Sequence, residues 1–348
     1  MDKIKVNTLP RLTYRYTHTN ETVLDFAGSR NKAEPEFSDM TYVSEGGSLP
    51  DSFKGAAEEL VQTAAAGKHF QINIPDGVKT ALSVRLNLEH ETEDFCGTFS
   101  VSVGQGAELN LIWMWDGKEA GGQIISAACY EVQDGGKLKV SILERNLPGA
   151  VLADQRHVIL HEGAVCDFAS ALLGGVKVIV HSTGRLEGRK SDMTETAVYA
   201  ASGTQHEDLF YHLEHVGKET KSHIDVKGAL DDHAKKVFRG TLDFKHGCSG
   251  SQGDEGDYAI QLSPKARNIS LPLLLCREDD VMGNHASSAG QLDEQIIYYL
   301  MSRGFSREEA QRMVIESMLR PLIDRMDSSL QNEVLEAVNH ALDAKESL

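Results

Sequence analysis

The stretches Gly136–Leu143, GKLKVSIL, and Gly163–Leu173, GAVCDFASALL, follow one plan. Each opens on a glycine, passes one or two spacers and enters a short run of alternating side chains. Alternation marks a strand, because successive side chains leave opposite faces. The plan recurs at Gly106 and Gly184. Spacings of about 20–30 residues are the range in which internal repeats signal stacked units. Further β-rich runs, among them HFQINI, ALSVRLNL, AELNLIWMW, QIISAACYEV and KVIVHS, fill residues 70–285, where helical periodicity is nearly absent. A sandwich would also give many short strands. The regular spacing favours a β-helix, so the chain reads as mainly β.

The flanks differ. Asn20–Asp51 is polar and rich in turns, and Ser52–Ala66, SFKGAAEELVQTAAA, reads as a helix stopped by Gly67. From Gln291 the chain reads as helical. Ser306-x-x-Glu309 is a capping box, which starts a helix running to about Leu319. Pro321 breaks or restarts it. Ser328 or Ser329 caps a last helix whose stripe, Leu330, Val334, Leu335, Val338 and Leu342, must bury itself against something. The expected organisation is a mixed, partly helical segment over 1–75, a β-helix core over 76–286 and a helical domain over 287–348.

A net charge of −17 over 348 residues argues against general binding to nucleic acid or anionic membranes, which needs a basic face. No run of about 18 apolar residues occurs, and the opening MDKIKVNTLPRL lacks a signal-peptide core. The five cysteines, at 96, 129, 166, 248 and 276, form no Cys-x-x-Cys pair. Sparse, unpaired cysteines fit a reducing compartment, and a cytoplasmic location is expected. No GxxxxGK[ST] phosphate loop, GxGxxG, GxSxG or HExxH is present. ATP hydrolysis by this chain alone is not expected.

The chemistry-bearing residues gather late in the chain. Alternation through LLLCREDD places Cys276, Glu278 and Asp280 on one face, and His285 follows. Thiolate and imidazole suit iron or zinc, and carboxylates can complete a labile iron shell. The plainer reading is a buried cysteine, two solvated acids and a turn histidine. Cys248 sits in the Gly-rich turn HGCSGSQGDEGD, where it is either a mobile thiolate ligand or part of a loop. Cys96, Cys129 and Cys166 lie in apolar strands and read as core. His206, His212, His215 and His223 cluster, but their surroundings look extended, and in a strand residues i and i+3 face opposite sides. Two further readings stay open. One is a carbohydrate-active β-helix using Asp254, Glu255 and Asp257. The other is a metal-free interaction module.

The C-terminal half resembles the SufB/SufD family of iron–sulfur cluster assembly scaffolds. The matching residues are His215, Thr220-x-Ser222, Lys227-Gly228, Val237-Phe238-Arg239-Gly240, Leu262-Ser263, Pro272-x-Leu274, Asp280-Val281 and His285. The match continues through Gly290-Gln-Leu-Asp-Glu, Tyr299-Leu300, Ser302-Arg303-Gly304 and Glu308-Glu309-Ala310. The resemblance implies a right-handed parallel β-helix flanked by helical segments. It implies a non-enzymatic scaffold that pairs with itself or a SufB/SufD paralogue and docks a SufC-like ABC ATPase. The docking residues would be Tyr299, Leu300, Arg303 and Gly304. Sulfur would come from a cysteine desulfurase or sulfur carrier, and a transient iron–sulfur cluster, with iron itself, would be the cargo. His285 falls on the family histidine. Ala286 follows it where the SufB branch has an acid, and Asp257 and Tyr258 stand near the SufB-type acceptor cysteine. On both points the chain is closer to SufD. Cys276 is an argued substitute, and with His285, Glu278, Asp280 and Cys248 it completes the candidate ligand set.

Overall fold

Two parallel sheets carry the chain, and consecutive strands alternate between them. The computed structural model describes residues 2–12, 14–26, 31–55, 57–88, 93–117 and 121–343. Parallel strands run from Lys68–Ile74 to Val281–Gly290, and between the ends of the ladder each pairs with the strand two before it and the strand two after it. The result is a mainly β molecule, a parallel β-solenoid of about seven turns. The expected β-helix is therefore present.

The turns explain the repeat. Gly106, Gly135, Gly163, Lys190 and Glu219 stack in successive turns, each with φ near +60°. The amide of each reaches a carbonyl one coil further on, as in Gly106 N to Asp134 O and Gly135 N to Glu162 O. Glycine adopts this left-handed backbone without a side-chain penalty, and the first three of these positions use it, as does Gly77 one coil earlier. Gly184, expected to lead a turn, instead lies inside the strand Lys177–Leu186. A Cβ there would press on Met193 and Leu213, so packing and not turning requires the glycine.

One face of each strand fills the interior. Phe70, Phe99, Phe95, Trp113 and Trp115 form an aromatic ladder in the early coils, with Phe99 and Trp113 edge to face at 4.7 Å. The outer faces are covered on both sides. The hairpin Asp2–Val6/Thr22–Phe26 and helix α1 (Glu58–Ala64) pack on the ten-stranded sheet around Ile125, Ala127, Cys129 and Ile179. Helix α1 is shorter than the expected Ser52–Ala66, because Gly55 takes φ +95° and only a 3-10 turn, Asp51–Phe53, precedes it. Helix α2 (Glu294–Ser302) leads into α3 (Arg307–Ile323) and α4 (Gln331–Asp343). The last two bury Ile315, Leu319, Ile323, Val334 and Val338 on the nine-stranded sheet against Leu143, Ala171 and Val198. The Ser306/Glu309 capping box forms. Helix α3 runs through Pro321 to Ile323, one turn beyond the expected break. Asp327, more than the expected Ser328 or Ser329, organises the turn into α4, its Oδ1 accepting from both the amide and the hydroxyl of Ser329. Among the described residues no helix is long and apolar enough to cross a membrane.

The two ends of the solenoid differ. At the N-terminal end Glu36–Phe37 and Val43–Glu45 pair antiparallel with the first strand of each sheet and cap it. At the other end Arg267–Cys276 and Val281–Gly290 are the last strands, and among the described residues no strand pairs with their outer edges.

Charges lie inside the solenoid, in phase with the core. Fully buried Arg156 donates to Asp154 at 2.6 Å and to Ser170 at 3.0 Å, 3.7 Å from Glu195. Lys236 pairs with Asp257, both buried, with its ammonium 5.5 Å from the ring centres of Tyr199 and Phe238. Glu144 has no hydrogen-bond partner for either oxygen. Burial first, then the charge of Asp154, pushes its carboxyl up from 4.5 to about 8.

Two tests follow from these buried charges. A carboxyl raised in the fold favours the folded state below its unfolded value and loses that advantage as pH rises through its folded value. Glu144→Gln, which cannot ionise, should therefore gain melting temperature relative to the parent between pH 5 and pH 8.5. A constant difference across that window would show that Glu144 does not titrate as described. Lys236→Met strands a buried carboxylate and should cost about 3–5 kcal/mol in denaturant unfolding. The double change Lys236→Met/Asp257→Leu should recover most of that loss.

Candidate functional site

The uncapped end forms a mouth to the solenoid interior. Arg267–Cys276 closes one side and Val281–Gly290 the other, joined by a turn over residues 277–280. Cys276 stands in register with Phe244 and is exposed. It shares its face with Leu274, which packs on the interior core. His285 stands in register with Glu255, so it has interior parity, and it is exposed because no further coil covers it.

The expected alternation through Cys276, Glu278 and Asp280 is not formed, because the strand ends at Cys276. Glu278 and Asp280 lie in the turn and brace it to the coil before. The amide of Gly247 donates to Glu278 Oε2 at 2.8 Å, and the Ser249 hydroxyl donates to Asp280 Oδ2 at 2.6 Å. Hydrogen bonds from the Gly247 and Asp279 amides hold the Glu278 carboxyl below its usual range. Cys248 lies inside that neighbouring turn, wholly buried in the core, and burial pushes its thiol up. Cys96, Cys129 and Cys166 are buried as core residues.

Cys276 and His285 lie on the last strands of the two sheets, offset along the solenoid end. Leu274 faces Gly283 across the interior, since a Cβ on Gly283 would lie 2.7 Å from Leu274 Cδ1. Cys276 lies on the turn side of that pair and His285 on the far side. The four-residue step from Val281 to His285, at about 3.3 Å per residue, offsets their backbone positions by roughly 13 Å along the sheet. Among the described residues neither belongs to a group of three ligand-type side chains lying within 4.8 Å of one another.

Beneath His285 lies a carboxyl that strand alternation alone did not single out as buried. Both Glu255 oxygens lack hydrogen-bond partners, and the side chain reaches toward Gly240, where a Cβ would collide with it. Burial, then the charge of Asp257, pushes Glu255 up to about 8. The signal was present: Lys236 is in phase with Phe238, Leu242 and Phe244, and Glu255 and Asp257 with the interior of the next strand of their sheet. Asp254 points the other way and accepts from Asn284 at 2.9 Å. Asp254 and Glu255 thus lie on opposite faces and Asp257 is tied to Lys236, which does not give the facing pair of carboxyls that glycoside hydrolysis uses.

On the outer face beside the mouth, a groove of about 460 Å³ runs between the last coils and α3. His223, Asp225, Lys227, Asp254, Tyr258 and Met318 line it, and His285 borders it. The clustered histidines divide between faces, as a strand requires. His215 faces inward, bonded to the Thr220 and Ser222 hydroxyls at 2.7 and 2.8 Å and stacked on Phe244 at 4.4 Å. Burial lowers its imidazole to about 4, so it is neutral. His212 and His223 face outward.

Helix α2 buries only Ile297. Ile296, Tyr298, Tyr299, Met301 and the following Phe305 are exposed, Tyr298 at 76%. Leu300 is half-buried, and the Arg303 guanidinium lies 5.1 Å over the Tyr299 ring. Gly304 ends the helix at φ +102°. Such a patch of large apolar side chains is a mark of an interaction surface.

Comparison with known proteins agrees with this layout. Residues 87–318 match the family model described as SUF system FeS cluster assembly, SufBD core domain. The chain is 34% identical over 160 residues to the iron–sulfur cluster assembly protein SufD of Bacillus subtilis, covering 46% of this chain and 37% of that protein. It is 27% identical over 200 residues to an iron–sulfur cluster assembly SufBD family protein of Mycobacterium leprae, covering 55% and 51%. A SufBD family protein of Mycobacterium tuberculosis is 25% identical over 236 residues, covering 65% and 59%. The matches thus span about a third to three-fifths of these relatives. With the family model matching residues 87–318, more than half of the chain, the chain belongs to the SufBD family of the SUF system for iron–sulfur cluster assembly.

Proposed function

We propose that the chain is a scaffold subunit whose uncapped end is completed by a second chain, itself or a SufB/SufD paralogue, with a nascent cluster held at the junction. The asymmetry of the ends carries this reading. The N-terminal end is covered by antiparallel strands, whereas the strands bearing Cys276 and His285 leave their edges open. Open parallel edges present unpaired amides and carbonyls that invite pairing with another chain. Within one chain Cys276 and His285 belong to no close group of three ligand-type side chains among the described residues. Across a junction of two mouths, ligands from facing protomers could meet. Imidazole and thiolate are suitable ligands for iron, and the cluster is cargo that is built and passed on.

The same reading assigns the α2 patch to a SufC-like ABC ATPase, with Tyr299, Leu300, Arg303 and Gly304 at its centre. ATPase closure would move α2, and α3 would carry the motion to the solenoid. Sulfur would arrive from a cysteine desulfurase or sulfur carrier. Removing the whole helical segment is a poor test of docking, because α3 and α4 cover the apolar face of the nine-stranded sheet.

Two experiments address these assignments. Anaerobic reconstitution with ferric iron and sulfide should give the visible charge-transfer band of a cluster, and His285→Ala should lose it. Cys276→Ser should weaken it; an unchanged band would remove Cys276 as a ligand, and an unchanged band in His285→Ala would remove the site. Tyr299→Asp changes an exposed side chain and should alter stability by less than about 0.5 kcal/mol. It should weaken capture of the partner ATPase at least tenfold, and unchanged capture would place docking elsewhere.

A further inference from the structure

The outer face of the ten-stranded sheet carries a second group of ligand-type side chains, away from the mouth. His212 and Glu214 project outward from the strand His206–His215, and Asp243 from the next strand of that sheet, in register with Glu214. Among the described residues this is the one trio of His, Cys, Asp or Glu whose ligating atoms all lie within 4.8 Å of one another. His212 Nε2 is 3.6 Å from Asp243 Oδ2 and 3.9 Å from Glu214 Oε1, beyond hydrogen-bond reach of either. That nitrogen and Asp243 Oδ1 are buried without a hydrogen-bond partner. The Asp243 side chain is 3% exposed.

The position between the two carboxylates is held by a cation of the chain itself. Lys245 donates to Asp243 Oδ2 at 2.5 Å and to Glu214 Oε1 at 2.8 Å. Arg185 binds the other oxygen, Glu214 Oε2, at 2.6 Å, and so fixes Oε1 toward His212. Lys245 follows the end of its strand and is about a quarter exposed, so its ammonium can swing into solvent.

We propose that His212, Glu214 and Asp243 form a divalent-cation site on the outer face of the solenoid, closed in the metal-free chain by the Lys245 ammonium. One imidazole nitrogen and two carboxylate oxygens suit borderline divalent ions such as Zn²⁺, Mn²⁺ and Fe²⁺. Three protein ligands leave positions for water, as in an open site. Metal entry displaces Lys245 from both oxygens, so the lysine sets the affinity.

Metal titration tests this in a Cys276→Ser background, which removes the exposed thiol. Lys245→Met should take up one Zn²⁺ per chain, at least tenfold more tightly than the parent. Adding His212→Ala should cut that affinity at least tenfold. The parent chain gives the same reading without the lysine variant: at raised Zn²⁺ it should bind one ion that Glu214→Gln, a near-isosteric change, weakens at least tenfold. Mn²⁺ in place of Zn²⁺ should compete for the same equivalent. No stoichiometric uptake by a folded Lys245→Met chain, or uptake indifferent to His212→Ala and Glu214→Gln, would overturn the site.

Discussion

The in-register parallel ladder is the constraint on which the rest of the molecule depends. Each strand must find its neighbour two strands away, and only a chain that advances by nearly the same number of residues per coil keeps that register. The ladder also dictates what happens at its ends. A buried or ordered backbone needs partners for its amides and carbonyls. The N-terminal end supplies them from its own antiparallel segments, and the C-terminal end does not. His285, which the resemblance matches to a family histidine, lies on that uncovered last strand. In the proposed function, fold and function meet there because the strand that lacks a partner is also the strand that exposes His285.

The interior adds a second constraint. A solenoid filled only by aliphatic side chains would be easier to stabilise, since ion pairs lose hydration when buried. This one places Arg156, Glu195, Lys236, Asp257 and Glu255 on interior faces, several without full sets of partners. The early coils hold the aromatic ladder, and these buried charges lie in the later coils, the Lys236–Asp257 pair among them.

Much of this was legible from the residues. Glycine-led alternating runs announced strands because Gly106 and Gly163 do sit in left-handed turns. The repeat was harder to phase later, where Lys190 and Glu219 take the same backbone without glycine, and where Gly184 serves packing inside a strand. Family residues placed His285, but local alternation misread its surroundings. Cys276, Glu278 and Asp280 looked like one face, yet the strand stops at Cys276, where the preceding coil's strand also ends. The two acids then serve the turn. The buried role of Glu255 went unseen, because a run of acids in a Gly-rich stretch resembles a loop until register shows that alternate residues face the core.

The central claim is that the open end is an assembly edge. Hydrogen–deuterium exchange of the amides in Arg267–Cys276 and Val281–Gly290, followed across protein concentration and with a SufB/SufD paralogue added, tests it directly. Exchange should be fast in the dilute chain and slow to the level of the interior strands once a second chain associates. Edge amides that keep exchanging fast in the associated protein would contradict the claim.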